Sequence, residues 1–147
     1  VFAANGIDVH FWPRLLPVPT VSFAVRELHA SAGVMITASH NPSKYNGYKV
    51  YDADGCQITT GMARSIQDAI TAVDTFTDPL FSSFEDGMSN DAIEYVAEEV
   101  INDYLEAVRS QSVLFDDDID RSVSIVYTPL NGTGLRFVTD VLKILRL

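Results

Sequence analysis

Four side chains with catalytic potential lie close together in the first third of the chain: Ser39, His40, Asn41 and Lys49. A serine hydroxyl is a weak nucleophile unless a base or a cation assists it, and the histidine or the lysine could give that assistance. Ser39 directly follows residues 34–37, an apolar segment typical of a buried strand. Because α/β proteins place their sites where strands end, these residues are candidates for a catalytic site in which Ser39 reacts.

The same residues also fit an ordinary turn. Pro42 fixes a backbone angle that suits a turn, and short polar side chains often satisfy the backbone groups of loops. The Gly-x-Ser-x-Gly motif of the α/β-hydrolases does not surround Ser39, which argues against that class of enzyme. From the residue types alone, a catalytic loop and a purely structural turn both remain open.

The hydrophobic pattern predicts alternating strands and helices around this loop. Strands are predicted at residues 7–12, 34–37, 47–51 and 123–127, and residues 93–96 are ambiguous. Helices are predicted at residues 20–31, 61–73, 100–108 and 137–147. The Asp54-Gly55 pair predicts a hairpin that returns through residues 57–59, and the acidic residues 74–90 are predicted to form a surface connection.

Two other motifs are weaker. Asp52 and Asp54 suggest a calcium loop, but Cys56 stands where such a loop needs an oxygen ligand. Gly132 and Gly134 suggest a dinucleotide-binding turn, but the third glycine of that fingerprint is missing. A hairpin turn and a strand-to-helix turn are the favoured interpretations of these two segments.

A longer pattern carries a family resemblance. Residues 33–42 and 45–51 together are very similar to the phosphoserine loop and the following strand of the α-D-phosphohexomutases. Residues 17–20 resemble the family's turn before the preceding helix, and residues 126–134 resemble the opening of its second domain. The family often has histidine where this chain has Asn131, and the whole resemblance covers under half of the chain.

The resemblance implies an isomerase, an intramolecular phosphotransferase. Such enzymes move a phosphoryl group between the 1- and 6-positions of a sugar, or the 1- and 5-positions of a pentose, through a phosphoserine and a bisphosphate intermediate. Ser39 would carry the phosphoryl group, and its phosphate would ligate Mg²⁺. Lys49 and His40 would assist as acid, base or charge-neutralising groups. Asn41 would shape the loop, and all four residues would bind the sugar phosphate, with a sugar 1,6-bisphosphate as activator.

The resemblance also implies a three-layer α/β/α domain with a mixed sheet. Residues 1–117 would form most of the family's first domain, and residues 118–147 the opening strand and helix of the second, with the charged segment 116–120 at the boundary. Residues 1–4 read as the last turn of a helix capped by Gly6, and the helical segment 137–147 ends without a cap, so the sequence predicts truncation at both ends. The remaining domains of the same enzyme would then be its partners. The alternative to a fragment of a mutase is a stand-alone, non-catalytic module with a phosphosugar-binding or regulatory role.

The charge and composition of the chain limit the classes of partner that it can bind. The formal net charge of the 147 residues is −10, which argues against binding a nucleic-acid backbone, although local donors can still bind a small phosphorylated ligand. No apolar run approaches the roughly 20 residues of a membrane span. Cys56 is the only cysteine, so no intramolecular disulfide can form, and we expect a cytoplasmic protein whose ligand is a small sugar phosphate.

Overall fold

The computed structural model describes residues 1–113 and 120–147, which divide into two units. One unit contains Val1–Arg14 and Cys56–Val96, and the other contains Leu15–Gly55 and Ala97–Leu147. Most of the charged segment predicted as a domain boundary, residues 116–119, lies outside the described residues. The predicted division at residues 117 and 118 therefore stays a prediction.

Helices and strands alternate along much of the chain. In chain order they are β1 (Val9–Phe11), α1 (Pro19–Glu27), β2 (Gly33–Ile36), β3 (Tyr48–Tyr51), α2 (Thr60–Thr71), α3 (Phe84–Ser89), β4 (Ile93–Tyr95), α4 (Glu98–Ser110) and α5 (Leu135–Ile144). A short 3₁₀ helix, Ala3–Asn5, precedes them and ends at Gly6 with φ 76°, as the sequence predicts. Parallel and antiparallel strand pairs both occur among the helices, so the predicted α/β class is confirmed.

The first unit is built on a parallel pair of strands. β1 and β4 are in register, with His10 opposite Glu94, and the His10 Nδ1 atom lies 2.8 Å from Glu94 Oε1. Helix α3 packs closely on β4 at Gly87, where a Cβ would come within 2.5 Å of the Ile93 Cδ1 atom. The glycine therefore permits a contact between helix and strand that any side chain would obstruct.

Helix α3 corrects the prediction that residues 74–90 form only a surface connection. Ser83 caps the helix, since the Asp86 amide donates a 2.9 Å hydrogen bond to the Ser83 hydroxyl. Glu85 and Asp86 in the first turn also interact favourably with the positive end of the helix dipole. These local capping signals make a six-residue helix in a segment whose acidity suggested a loop.

Helix α2 corrects the predicted hairpin. The turn itself is present, since the Gly55 amide donates to the Asp52 carbonyl at 2.9 Å and Gly55 has φ 73°. No return strand follows at residues 57–59; Gln57 forms only an isolated bridge. Thr59 instead caps α2 by accepting a hydrogen bond from the Met62 amide, so its hydroxyl starts a helix rather than continuing a strand.

The second unit is built on an antiparallel pair packed against a helix. β2 and β3 pair Gly33 with Tyr51 and Met35 with Lys49. A Cβ on Gly33 would come within 2.5 Å of the Val25 Cγ2 atom, so this face of the pair lies directly against α1. The other face is open: Val34 is 41 % exposed and Ile36 is 63 % exposed. The prediction that residues 34–37 form a buried strand is therefore wrong for this face.

Helices α4 and α5 complete the core of this unit. Ile101 is 1 % exposed, and burial of such a side chain contributes about 1.5–3 kcal/mol. The ring of Tyr104 packs edge-on against Phe23 and Phe137, with centroid distances of 5.5 and 5.7 Å, and burial raises the pKa of its hydroxyl. An ion pair between Arg136 and Glu98 joins the two helices at their surface.

The predicted strand at residues 123–127 is wrong. These residues have no regular secondary structure, and Val123 and Val126 are 58 % and 98 % exposed. Their composition favours a strand, but a strand needs a neighbour to satisfy its backbone groups. None of the strands in the described residues pairs with this segment.

Within residues 1–113 and 120–147, no helix is long and apolar enough to cross a membrane.

Candidate active site

The candidate loop begins where β2 stops pairing with β3. After the last paired residues the Thr37 amide donates a 2.9 Å hydrogen bond to the Gly47 carbonyl, which extends the contact between the two strands by one step. The Gly47 amide is bonded to the Asn46 side-chain oxygen at 2.9 Å. Both ends of the loop are therefore fixed to the strand pair, and Ser39 is exposed between them.

Ser39 has an uncommon backbone conformation. Its φ is 53°, in the left-handed region, which costs a residue with a Cβ about 1–2 kcal/mol. The Ser39 amide donates a 2.9 Å hydrogen bond to the Thr37 hydroxyl, and such a bond contributes a net of about 0.5–1.5 kcal/mol. The two magnitudes are comparable, so this single bond offsets most of the cost. Residues held in such conformations are common at functional sites.

Ser39 and His40 are brought together as the sequence predicts. The Ser39 Oγ atom lies 3.3 Å from His40 Nδ1. In the tautomer with a bare Nδ1, the serine hydroxyl donates to the imidazole, which is the arrangement a general base requires. In the other tautomer, or in the protonated ring, the imidazole donates to the serine oxygen. The pair can thus take a proton from Ser39 or hold an anion on it.

Lys49 is not among the hydrogen-bond partners of Ser39 in the described residues. It is a half-buried residue of β3 opposite Met35. It lies two residues before Tyr51, so the two are on the same face of the strand pair. Among the residues that the structure describes, the Lys49 side chain has no hydrogen bond or ion pair, although its backbone pairs with Met35, so its ammonium group is available to an anion. Strand pairing places this cation on the neighbouring strand rather than in the loop.

Asn41 acts on the loop through its backbone. The Asn41 amide donates to the Ala38 carbonyl at 3.0 Å, and the Tyr45 amide donates to the Pro42 carbonyl at 2.9 Å. These two turns give the loop its course. The Asn41 side chain is exposed, so it is accessible to a ligand. Lys44 lies in the same loop with its Nζ atom 5.2 Å from the centre of the Tyr45 ring, a second cation that the sequence reasoning did not select.

Thr37 is the other residue of the loop that the sequence reasoning missed. Its hydroxyl and its amide connect Ser39 to the start of β3. A usable signal was present, because a threonine two residues before a loop residue often accepts a hydrogen bond from that residue's amide. The left-handed conformation of Ser39 had no such signal, since serine does not usually adopt it.

A magnesium site is not complete in this part of the molecule. The described residues contain no group of three or more His, Cys, Asp or Glu side chains that could hold a metal ion. Mg²⁺ requires near-octahedral oxygen coordination, and residues 37–47 provide hydroxyl and amide oxygens but no carboxylate. A phosphate on Ser39 would add oxygen ligands, but these residues by themselves do not fit the ion.

Comparisons with known proteins agree with the motif. The family model described as phosphoglucomutase/phosphomannomutase, alpha/beta/alpha domain I, matches residues 1–76, which include the whole loop and β3. A phosphoglucomutase of Staphylococcus saprophyticus is 34 % identical over 142 residues, covering 97 % of this chain and 25 % of its own length.

Two relatives carry other names. A probable phosphoribomutase of Schizosaccharomyces pombe is 35 % identical over 149 residues, covering 98 % of this chain and 24 % of its own length. A phosphopentomutase of Pongo abelii is 33 % identical over 144 residues, covering 97 % of this chain and 23 % of its own length. The chain spans about a quarter of the length of the curated relatives it matches.

Proposed function

Because this chain belongs to the phosphoglucomutase/phosphomannomutase family, we propose that it is the part of a sugar-phosphate mutase that carries the phosphoryl group on Ser39. The observation that supports this most is the pairing of the exposed Ser39 hydroxyl with His40 at 3.3 Å, on a left-handed residue within the segment that matches the family. A structural turn alone requires neither the exposure of the hydroxyl nor its contact with a base.

The proposed reaction has two phosphoryl transfers. The P–O bond of phosphoserine at Ser39 breaks as the free hydroxyl of a sugar monophosphate attacks phosphorus, giving a sugar 1,6-bisphosphate, or a 1,5-bisphosphate from a pentose. The sugar hydroxyl loses its proton in this step and the freed Ser39 Oγ atom gains one; the second step reverses this exchange. In the second step the Ser39 Oγ atom attacks the other phosphate of the bisphosphate, and the product leaves as the isomeric monophosphate. No net phosphoryl group is gained or lost.

The other candidate residues, His40, Lys49 and Asn41, each have a proposed part in this reaction. His40 exchanges the proton at Ser39 Oγ, because its Nδ1 atom is already within hydrogen-bond reach. Lys49 neutralises charge on the phosphoryl oxygens or acts as acid and base, because its ammonium group has no partner within residues 1–113 and 120–147. Phosphoryl transfer depends mainly on positioning and charge neutralisation, so a cation on the adjacent strand suits it. Asn41 contributes to the loop's shape and to the surface that meets the sugar phosphate.

We include Mg²⁺ and a sugar 1,6-bisphosphate activator in the proposal. When bound, the ion would neutralise charge on the phosphoryl group, with an oxygen of the Ser39 phosphate as one ligand. Its other ligands would come from outside residues 1–113 and 120–147. Such residues, and any that hold the distal phosphate of the sugar, would belong to the remaining domains of the same enzyme. A cytoplasmic location is consistent with the single cysteine, Cys56.

The activity can be tested with a panel of substrates. The names of the relatives include phosphoglucomutase, phosphoribomutase and phosphopentomutase, which supports a hexose or a pentose phosphate as the proposed substrate. We expect the full-length gene product containing this sequence to interconvert the 1- and 6-phosphates of glucose or mannose, or the 1- and 5-phosphates of ribose. ³¹P NMR would follow each pair with Mg²⁺ and the matching bisphosphate. If the gene product converts none of the three pairs, the proposal is contradicted.

Lys49→Met tests the proposed cation. The methionine has a similar volume and no charge, so we expect turnover to fall about 10²-fold or more, the usual effect of losing a positioned acid/base or charge-neutralising group. Lys44→Met is the matched control, because Lys44 is a lysine in the loop just before β3 that stacks on Tyr45. We expect this control to stay within about threefold of the wild type.

The steady-state parameters separate two roles of Lys49. A fall in kcat assigns it to the transition state. If Lys49→Met raises only KM and leaves kcat unchanged, Lys49 is a uniform binding contact, and the assignment above is wrong. Equal losses in Lys49→Met and Lys44→Met would show a general effect of positive charge rather than a positioned group.

A further inference from the structure

We propose that Thr37 is a positioning residue for phosphoryl transfer at Ser39, because its hydroxyl holds the serine in the left-handed conformation. The inference rests on the proposed function. Thr37 Oγ1 accepts the 2.9 Å hydrogen bond from the Ser39 amide, and the Thr37 amide donates at 2.9 Å to the Gly47 carbonyl. One residue therefore connects the reacting serine to the strand that carries Lys49.

The restraint on Ser39 is local. Ser39 is exposed, whereas Thr37 is half-buried at the end of the strand pair. Without an acceptor for its amide, an exposed serine has little reason to keep φ at 53°, because other backbone regions are more favourable for a residue with a Cβ. A change in φ at this residue would redirect the Oγ atom away from its position beside His40. The hydroxyl of Thr37 thus decides where the nucleophile lies.

The same turn recurs elsewhere in the unit without a nucleophile. The Leu130 amide donates to the Thr128 hydroxyl at 3.1 Å, and Leu130 has φ 51°. Among the described residues, a threonine two residues before a left-handed residue thus stabilises that conformation at both Ser39 and Leu130. At Leu130 the turn only directs the backbone, whereas at Ser39 it orients the group that reacts. The second turn provides a matched control for loss of the hydrogen bond itself.

Orientation affects the rate of the reaction more than the binding of the sugar. Phosphoryl transfer needs the attacking and leaving oxygens in line, and a misplaced nucleophile lowers the fraction of productive encounters. The sugar phosphate can still bind to the remaining cationic and polar groups. Loss of the Thr37 hydroxyl should therefore reduce kcat while leaving KM nearly unchanged, unlike the loss of a binding residue.

The test uses three variants of the full-length gene product. Thr37→Val keeps the branched shape that suits a strand end and removes the acceptor, and we expect kcat to fall about tenfold or more with KM within about twofold. Thr37→Ser restores the hydroxyl and should stay within about threefold of the wild type. Thr128→Val removes the matched hydrogen bond at Leu130 and should also stay within about threefold. A Thr37→Val enzyme with wild-type kcat overturns the proposal.

A second measurement does not depend on activity. Millisecond hydrogen exchange, resolved to single residues by mass spectrometry, reports the protection of the Ser39 amide. We expect protection to fall about fivefold or more in Thr37→Val, to persist in Thr37→Ser, and to be unchanged in Thr128→Val, where only the Leu130 amide loses protection. If the wild type shows no mutase activity, the proposed function fails by itself. Unchanged protection of Ser39 in Thr37→Val would instead show that Thr37 does not hold the serine.

Discussion

Ser39→Ala is expected to reduce mutase turnover of the full-length gene product by more than about 10³-fold, because the substitution removes the only atom that forms the phosphoserine bond. The alanine keeps the Cβ and leaves no oxygen beside His40. The imidazole itself is 3.3 Å from the lost oxygen, too far to take over the in-line geometry without a shift of the loop. The substitution should therefore lower kcat and also prevent formation of the phosphoserine.

Two measurements check this prediction. A coupled assay gives turnover, and intact-mass and peptide spectrometry after incubation with glucose 1,6-bisphosphate and Mg²⁺ locates the phosphoryl group. We expect phosphate on Ser39 in the wild type and none on the loop peptide of Ser39→Ala. Ser43→Ala is the matched control, because Ser43 is an exposed serine of the same loop. Phosphate on Ser43 instead of Ser39, or a Ser39→Ala enzyme with wild-type turnover, would refute the assignment.

The sequence predicts the helices well because their signals are local. Pro19 lies at the first turn of α1, and the apolar spacing of α4 and α5 defines the faces that pack together. The one helix it misses, α3, is six residues long and depends on the Ser83 cap more than on hydrophobic periodicity. A helix this short has too few turns to show a periodic pattern.

The errors in the strands arise because strands depend on distant partners. Residues 34–37 and 123–127 have the same apolar, β-branched character. The first segment pairs with β3 and buries one face against α1, whereas the second has no strand partner within residues 1–113 and 120–147. Composition gives the tendency to extend, but pairing and burial are set by residues far along the chain.

In the site, too, contacts between neighbours in sequence can be predicted from the motif, whereas contacts that depend on strand pairing cannot. The contact of Ser39 with His40 joins adjacent residues, so the motif predicts it, and the structure confirms their proximity. The place of Lys49 depends on the register of β2 and β3, which the motif's spacing implies but does not show. The hydrogen bond from the Ser39 amide to Thr37 is also local, but it matters only because φ of Ser39 is positive, a fact available from three-dimensional structure alone.

The second large effect concerns the 147 residues taken alone. We expect this chain, expressed by itself, not to catalyse mutase turnover measurably. Its described residues hold no cluster of His, Cys, Asp or Glu side chains that could bind Mg²⁺. The net charge of −10 also disfavours the approach of a multiply charged anion. The chain covers 25 % of the Staphylococcus saprophyticus relative, so most of the length of that relative has no counterpart in these residues.

The assay compares three samples under one set of conditions: the 147-residue chain, the same chain with Ser39→Ala, and the full-length gene product, each with glucose 1-phosphate, glucose 1,6-bisphosphate and Mg²⁺. We expect the first two to be indistinguishable, so that any residual rate is background, and the third to turn over. Enzymes commonly reach roughly 10 s⁻¹, and a rate within about a factor of ten of that value in the short chain would contradict this expectation. Phosphoryl transfer depends on positioning and charge neutralisation. Such a rate would therefore show that these 147 residues provide both by themselves.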